Sequence, residues 1–315
     1  MTDYLWKQIL TKDMLSRIIE NYATLVEEKD EETGKTRYKQ IFPRYHQLTA
    51  VESLLADVKK NGVGNRYLIQ HSAGSGKSNS IAWLAHQLTG LEDAQGNLLV
   101  DSVIVVTDRV VLDKQIRDTI RQFAQTRNII AWAEHSGDLR KAIEDGRRII
   151  ITTIEKFPYV LLEIGEDHKD RHFAIIIDEA HPSQNGKTAG TMNMTLSAIM
   201  SDPDMDNEDK INAMCEGKKL LTNASYFAFT ATPKNKTLET FGTAYEDAGV
   251  IKHRPFHVYT MKQAIQEGFI LDVLKYYTPI DSYYRLKKTV EDDPMFDKKK
   301  AQKKLRAFVE NQTFT

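Results

Sequence analysis

Residues 71–78, HSAGSGKS, have the composition and spacing of a phosphate-binding loop. Glycines in such a loop let backbone N–H groups converge on phosphate oxygens at the N-terminus of a helix. Lys77 can reach the β- and γ-phosphates of a nucleotide, and Ser78 offers a hydroxyl to Mg²⁺. His71 stands where the general motif has its first glycine, so a plain glycine-rich turn is the alternative interpretation. The residues predicted to bind ATP here are Ala73, Gly74, Ser75, Gly76, Lys77 and Ser78.

Two adjacent acids, Asp178 and Glu179, follow a run of three isoleucines. Asp178 can hold the Mg²⁺ that bridges the β- and γ-phosphates, and Glu179 can orient and deprotonate the attacking water. A carboxylate after an apolar strand is often a helix cap, but an isoleucine run that ends in DEAH after a Gly-Lys-Ser loop is more specific. The two motifs predict ATP hydrolysis with Lys77, Asp178 and Glu179 as catalytic residues. Ser78 and Asp178 are the predicted Mg²⁺ ligands.

A third segment, FAFTATP at residues 227–233, has the pattern of a buried strand that ends in small hydroxyl residues and a proline. Short hydroxyl side chains at a strand end can link the acidic strand end to a neighbouring site through hydrogen bonds. Taken alone, the segment is equally typical of a strand that ends in a capped turn. Its position after the other two motifs favours the functional interpretation.

Short apolar runs alternate with helical patterns along the middle of the chain. The runs are apolar on both faces, which is typical of central strands in a parallel sheet. The predicted strands are Tyr67–Gln70, Ser102–Thr107, Ile149–Thr152, Phe173–Ile177 and Tyr226–Thr230. The predicted helices are Leu48–Val58, Lys77–Leu88 and Val110–Phe123. This order predicts an α/β fold, a mostly parallel sheet with helices on both faces and the motifs at the carboxyl ends of strands.

The N-terminal residues have a different pattern. Apolar residues at three- and four-residue spacing predict an amphipathic helix over Thr2–Leu25. The acidic stretch Glu27–Glu32 and the Thr-Gly-Lys that follows predict a polar turn. We therefore expect a boundary near residue 38.

The composition excludes several classes of protein. Of 315 residues, 41% are hydrophobic and 28% charged, unlike collagen-like, coiled-coil or wholly disordered chains. Apolar runs are far shorter than the ~20 residues that span a bilayer, and the N-terminus has no secretory-signal pattern. A single cysteine, Cys215, fits a reducing compartment, so we expect a cytoplasmic protein with no membrane partner. The net charge of −1 implies that any contact with nucleic acid comes from a local patch.

The three motifs, in this order, resemble the first RecA-like domain of superfamily 2 helicases of the DEAH-box type. A closer resemblance is to the motor (R, restriction) subunit of type I restriction-modification enzymes, from about Phe42 to Tyr277. The segments that carry it are HSAGSGKSNSIAWLAHQL, VIVVTDRVVLDKQI, TTIEKF, FAIIIDEAHPSQ and YTMKQAIQEGFILDVL. The resemblance implies a RecA-like P-loop NTPase domain with an N-terminal helix and a C-terminal extension.

The resemblance implies further site residues. Arg44 and Gln47, in FPRYHQ, match an adenine-reading motif in which the glutamine amide pairs with the adenine edge; a plain helix N-terminus is the alternative. His181 matches a catalytic residue that links nucleotide state to the grip on DNA. The residues implied in the same coupling are Thr230, Ala231 and Thr232. The residues implied in contacts with the DNA backbone are Asp108, Arg109, Thr152 and Thr153.

The implied organisation is a linker and helical segment at 1–37, the first RecA-like motor domain at 38–260, and at 261–315 the start of a truncated second motor domain. Members of the family carry a nuclease domain before the motor and a second RecA-like domain after it, so we expect this chain to be a fragment. An arginine finger contributes about 10³–10⁵ in turnover. Without the second domain, the chain is expected to bind ATP and Mg²⁺ but to hydrolyse ATP poorly.

The complete enzyme implied by the resemblance pulls double-stranded DNA past itself, and a separate nuclease domain cleaves it. Its expected partners are the specificity and methyltransferase (modification) subunits of the same complex. The alternatives are a superfamily 2 helicase of repair or RNA remodelling, and a nucleotide-dependent interaction module that does not hydrolyse ATP. The basic cluster Lys298–Arg306 is typical of either a solvated helix or a DNA contact. His253 and His257 have the spacing of a helical metal pair, but Pro255 between them argues against a helix.

Overall fold

A computed structural model describes residues 3–29, 36–107, 119–120, 130–133, 135–166, 168–178, 211–212, 221–272 and 275. Contacts divide the chain into two units, Met1–Ile270 and Leu271–Thr315, and the elements below belong to the first. The domain bounds expected near residues 38 and 260 stay predictions. The basic cluster Lys298–Arg306 lies outside the described residues, as does most of the helix predicted over Val110–Phe123.

The N-terminal residues form two short helices and a strand pair, so the single helix predicted over Thr2–Leu25 is wrong. The observed elements are a π-helical turn (Leu5–Ile9), helix α1 (Lys12–Asn21) and strands β1 (Thr24–Lys29) and β2 (Thr36–Ile41). The break has a local cause, because the Thr11 side chain accepts a hydrogen bond from the Met14 N–H and begins a new helix there. The helical spacing of the apolar residues continues across this cap, which the periodicity alone does not reveal.

Strands β1 and β2 pair antiparallel, and β1 continues into the acidic stretch. The polar turn predicted over Glu27–Glu32 is therefore wrong for its first three residues, which are paired in β1. Tyr22, just before β1, is fully buried. Its carbonyl accepts a hydrogen bond from Trp83 Nε1 at 3.0 Å, and its hydroxyl donates to Glu52 at 2.9 Å. These contacts attach the N-terminal elements to the rest of the unit.

Seven strands form the central sheet. They are β3 (Arg66–His71), β4 (Ser102–Thr107), β5 (Ile130–Trp132), β6 (Ile149–Thr153), β7 (Phe173–Asp178), β8 (Ala224–Thr230) and β11 (His257–Tyr259). Their order across the sheet is β11-β3-β8-β7-β4-β6-β5, and every neighbouring pair is parallel. All five strands predicted from the sequence are present, which confirms the predicted α/β fold with a parallel sheet.

Helices cover both faces of this sheet, as predicted. They are α2 (Tyr45–Asn61), α3 (Lys77–Thr89), α4 (Ser136–Glu144), α5 (Phe157–Glu166), α6 (Asn235–Phe241) and α7 (Met261–Gln266). Alternate residues of β4 point to opposite faces. Val103 and Val105 belong to a core with α2 and α3, whereas Ile104 and Val106 belong to a core with α4, α5 and α6. The buried sheet is therefore sandwiched between two helical layers.

A second antiparallel pair, β9 (Thr243–Asp247) and β10 (Val250–Arg254), precedes β11 and is almost entirely exposed. The sequence patterns did not predict it. His253 lies on β10 and His257 on β11, which confirms that the two histidines do not share a helix. Within the described ranges, no helix combines the length and the apolar character needed to cross a bilayer.

Candidate functional site

The HSAGSGKS segment connects the end of β3 to the start of α3. Gly74 and Gly76 have φ angles of +71° and +82°, a left-handed conformation that residues with a side chain rarely adopt. A Cβ atom at Gly74 would lie 2.8 Å from Ile270 Cγ2, and one at Gly76 would lie 2.6 Å from Gln47 Nε2. The left-handed conformation therefore favours glycine at both positions, and an added side chain at either one would also displace the end of the Ile270 or Gln47 side chain.

The three motifs end on three adjacent strands. In the register of β3 and β8, Gln70 pairs with Thr230, and in that of β7 and β8, Asp178 pairs with Phe229. Thr230 is fully buried and Asp178 is 6% exposed. Lys77, the first residue of α3, is 7% exposed. The carboxyl edge of the sheet thus brings the loop, the small hydroxyl and the first acid into one region.

Several buried hydroxyl groups line this region. Within the described part of the chain, four of them lack a hydrogen-bond partner: those of Ser72, Ser75, Ser80 and Thr230. Because buried polar groups in proteins are nearly always paired, these oxygens suit a polar ligand or water. The N-terminal N–H groups of α3 suit phosphate, and the Ser78 hydroxyl and Asp178 carboxylate are oxygen ligands of the kind that Mg²⁺ takes alongside substrate phosphates. The residues present therefore fit a magnesium nucleotide.

Gln47 connects the N-terminus of α2 to the loop. Its Nε2 donates to the Gly76 carbonyl at 2.8 Å, and its Oε1 accepts from the Arg44 N–H at 2.8 Å. The Gln47 side chain is 3% exposed. Both residues predicted to read adenine thus lie beside the phosphate loop, and one amide links the two segments.

Two histidines, the buried His71 and the half-buried His257, join the edge strand β11 to β3. His71 Nε2 lies 2.9 Å from His257 Nδ1. Burial lowers the pKa of His71 to about 2, and the charges of His257, His46 and Lys77 act in the same direction. Burial also lowers the pKa of His257. Neutral imidazoles can pair directly, since one ring donates while the other accepts. The pair attaches a strand of only three residues to the strand that carries the loop.

His46, in the first turn of α2, also contacts the loop. Its Nε2 lies 3.0 Å from the Ser75 carbonyl, and its ring stacks on Tyr259 with centroids 3.7 Å apart and an interplanar angle of 2°. The Tyr259 carbonyl accepts a hydrogen bond from the Ser72 N–H at 3.0 Å. Burial lowers the pKa of His46, so the ring that supports the loop is neutral at physiological pH. Residues from α2, β3 and β11 therefore hold the loop together.

Comparison with protein-family models adds an independent observation. The model described as SWI2/SNF2 ATPase matches residues 46–307, which is well over half of the chain. The chain belongs to the SWI2/SNF2 ATPase family. The match includes the phosphate loop, the DEAH segment and FAFTATP, and it begins at the residue that supports the Ser75 carbonyl.

Relatives of this SWI2/SNF2 ATPase chain include the type I restriction enzyme SauMSSORF170P endonuclease subunit of Staphylococcus aureus (strain MSSA476). The two are 27% identical over 235 residues, which is 72% of this chain and 21% of the relative. The C-terminal part of the putative type I restriction enzyme MpnIIP endonuclease of Mycoplasma pneumoniae is 31% identical over 159 residues, 46% of this chain and 73% of that protein. These relatives confirm the resemblance to type I restriction enzymes, and the chain spans about a fifth of the length of the first.

Among solved structures, the chain is similar to a nuclease-deletion mutant of the Type ISP restriction-modification enzyme LlaGI in complex with a DNA substrate mimic. The TM-score is 0.45 and the identity 17%, over 75% of this chain and 22% of that one.

The residues expected to contact DNA are placed in part. Thr152 and Thr153 lie on β6, two strands from β7. Thr152 is 2% exposed, whereas Thr153 is half-buried at the strand end and accepts a hydrogen bond from Lys156 Nζ at 3.1 Å. Of the expected coupling residues after β8, Ala231 is half-buried and Thr232 exposed. The predicted site residues outside the described ranges are Asp108, Arg109, Glu179 and His181.

Sequence reasoning missed the residues of this SWI2/SNF2 ATPase chain that support the loop from a distance. His46 was not singled out within FPRYHQ, and His257 was considered only as a metal ligand. Glu267 accepts hydrogen bonds from the Tyr45 and Tyr259 hydroxyls at 2.6 and 2.8 Å. The one available signal was the segment YTMKQAIQEGFILDVL, which contributes to the resemblance and begins at Tyr259.

Proposed function

We propose that this chain is the ATP-binding half of an ATP-dependent motor that moves double-stranded DNA in a type I restriction endonuclease. In the complete enzyme, ATP hydrolysis pulls DNA before a separate nuclease domain cleaves it. Specificity and methyltransferase subunits of the same complex supply recognition and methylation. The names of the relatives and the family of the ATPase domain support this proposal.

The observation that carries the proposal is the convergence of three motifs at one edge of the sheet. The loop after β3 offers backbone N–H groups and Lys77 to the phosphates, and Thr230 on the adjacent strand lies between the loop and Asp178. Ser78 and Asp178 would hold Mg²⁺, which would supply charge stabilisation at the transferred phosphate. Glu179, the next residue along the chain, is assigned the base that activates water. Glu179 distinguishes the proposed motor from the alternative, a module that binds nucleotide without hydrolysing it.

The carboxyl ends of β4 and β6 suit the DNA contact. The half-buried Thr153 lies at the end of β6, in register with the end of β4, and β4 is the neighbour of the strand that carries Asp178. Hydroxyl groups bind the phosphate backbone without reading sequence, as a motor that moves along DNA requires. Strand ends close to each other in one sheet would therefore contact DNA and nucleotide.

Calorimetric titration of the chain with Mg-ATP tests the step on which this function depends. We expect saturable binding by the parent chain and about 10- to 100-fold weaker binding by Lys77→Ala, because a charge-assisted contact to phosphate is lost. Lys156→Ala, which removes a lysine from the β6 end, is the matched control and keeps the parent affinity. Absence of binding by the parent, or equal loss in both variants, contradicts the proposal.

Hydrolysis is tested in the complete motor protein that the proposal implies. There, Glu179→Gln is expected to keep ATP binding and abolish DNA-stimulated phosphate release. Full phosphate release by that variant would contradict the role assigned to Glu179. A parent protein that binds ATP but releases no phosphate on DNA would favour the interaction module.

A further inference from the structure

The residues that follow α7 lie against both halves of the candidate nucleotide site. Ile270 lies beside the phosphate loop, since its Cγ2 is 2.8 Å from the position that a Cβ on Gly74 would occupy. Phe269 lies beside the N-terminus of α2, with the Arg44 guanidinium 4.0 Å from its ring centroid. A short stretch from the end of the unit thus touches the two segments that the sequence assigned to phosphate and to adenine.

Glu267 fixes the position of this stretch. Its two carboxylate oxygens accept hydrogen bonds from the hydroxyls of Tyr45, on α2, and Tyr259, on β11. Backbone bonds from the Phe269 and Ile270 N–H groups to the Ala264 carbonyl close the turn after α7. Phe269 is therefore held by a defined turn that is tied to α2 and to the edge of the sheet.

Phe269 and Arg44 both present surface to solvent. Phe269 is 37% exposed, and Arg44 is exposed as well. A guanidinium stacked over an aromatic ring forms a flat surface, and such surfaces bind nucleic-acid bases by stacking.

The position of this flat surface relative to the loop suits the base end of a nucleotide. The Arg44 N–H binds the Gln47 amide, and the same amide binds the Gly76 carbonyl, so two hydrogen bonds separate Arg44 from the loop. Stacking on Phe269 and Arg44 would add contact area that bare phosphate cannot use.

We propose that Phe269, together with Arg44, forms the stacking surface for the aromatic base of the bound nucleotide and determines the preference for a nucleoside triphosphate over triphosphate alone. This inference rests on the proposed ATP-binding function and adds a residue to it. Phe269 is a specificity-determining residue that contacts the base, and Glu267 is a positioning residue that acts through the turn.

The chain supplies a matched control for this pair. On the β9–β10 strand pair, Tyr245 is also 37% exposed and has the Arg254 guanidinium 5.3 Å from its ring centroid. Tyr245→Ala therefore removes an aromatic ring of the same exposure under an arginine, away from the phosphate loop.

Calorimetry with two probes, Mg-ATP and Mg-tripolyphosphate, tests the inference on the chain and its variants. We expect Phe269→Ala and Phe269→Leu to weaken Mg-ATP binding about 10-fold, since stacking on an aromatic ring is lost. Tripolyphosphate affinity stays within about twofold, and Phe269→Tyr, which keeps the ring, restores ATP affinity. Tyr245→Ala changes neither. Thermal unfolding followed by circular dichroism checks that Phe269→Leu, which keeps apolar volume, is folded.

Each other outcome overturns something specific. Unchanged ATP affinity in both Phe269→Ala and Phe269→Leu overturns the stacking role and leaves the proposed function standing. An equal loss for ATP and tripolyphosphate also overturns it, because Phe269 would then support the loop. Failure of the parent chain to bind either probe overturns the proposed function and this inference with it.

Discussion

Two glycines in turns of this molecule have nearly the same left-handed φ angle and very different surroundings. In the phosphate loop, Gly76 has φ +82° and an added Cβ would lie 2.6 Å from Gln47 Nε2. In the turn between β9 and β10, Gly249 has φ +79° and an added Cβ would have no atom within 4 Å. Ala248, its neighbour, even carries a side chain at φ +51°. The backbone angle disfavours a side chain in both turns, and only in the phosphate loop does a second element, the Gln47 side chain, add a close contact to that cost.

Gly76→Ala is expected to have the largest effect. The left-handed conformation costs about 1–2 kcal/mol for a residue with a side chain, and the displaced Gln47 amide loses a hydrogen bond of about 1 kcal/mol. We expect the free energy of unfolding, measured in urea, to fall by about 2–3 kcal/mol and Mg-ATP binding to become undetectable.

The contact with Gln47 also predicts how the stability cost of Gly76→Ala depends on the Gln47 side chain. In a Gln47→Ala background the clash is gone, so Gly76→Ala costs less than it does alone. A cost that is the same in both backgrounds would mean that the backbone angle alone matters and would remove the contrast between the two turns.

Lowering the pH is expected to have the second-largest effect, a loss of folding stability at the loop region. The pKa of His71 is about 2 in the folded chain, below the 6.5 of an exposed histidine. Between pH 2 and pH 6.5 this histidine is therefore protonated in the unfolded chain and neutral in the folded chain. Stability from this group is therefore complete above pH 6.5 and is lost as the pH falls, by about 1.4 kcal/mol at pH 5.5. Urea unfolding at pH 7.5 and 5.5 measures the loss.

Two histidine variants test whether His71 causes this loss of stability in acid. His71→Asn removes the titrating group, so we expect it to reduce the loss between pH 7.5 and 5.5. His172→Asn, at an exposed position, leaves the loss unchanged. Identical pH dependence in the parent and in His71→Asn would show that other groups cause it. The next candidates are His46, His257 and His86, whose pKa values are also lowered by desolvation.

Gly249→Ala is expected to have the smallest effect. Only the left-handed backbone opposes the new side chain, so the free energy of unfolding falls by about 1 kcal/mol. Mg-ATP affinity, measured by calorimetry, stays at the parent value because the turn is exposed. A larger loss of stability than that of Gly76→Ala would reverse the comparison.

The sequence predicted correctly those elements that have a local signal, such as a run of apolar residues or a cluster of glycines. The central β4 residues 103–106 are apolar on both faces, and the strand was predicted with its observed bounds because buried parallel strands have this pattern. The phosphate loop was recognisable because glycine, lysine and serine occur together in a short segment. In both cases, local sequence and structure agree.

Prediction failed where a distant contact decides the structure. Nothing near Tyr259 shows that its ring stacks on His46, and nothing near His257 shows that it binds His71. The N-terminal helix was predicted too long because the cap at Thr11 competes with a continuous apolar pattern. Long-range contacts of this kind leave no periodic signal in the sequence.

The two paired histidines are far apart in the sequence, which affects the order in which the unit is completed during translation. His71 and His257 are 186 residues apart, and the strand that carries the loop pairs on its two sides with β8 and β11. A ribosome adds about 5–20 residues per second, so about 10–40 s pass between the appearance of the loop and that of its last strand partner. During this interval the apolar residues of β3 lack at least one neighbour. The nucleotide site is therefore among the last parts of the unit to be completed on the ribosome, and a nascent chain stalled before His257 exposes an unpaired strand edge.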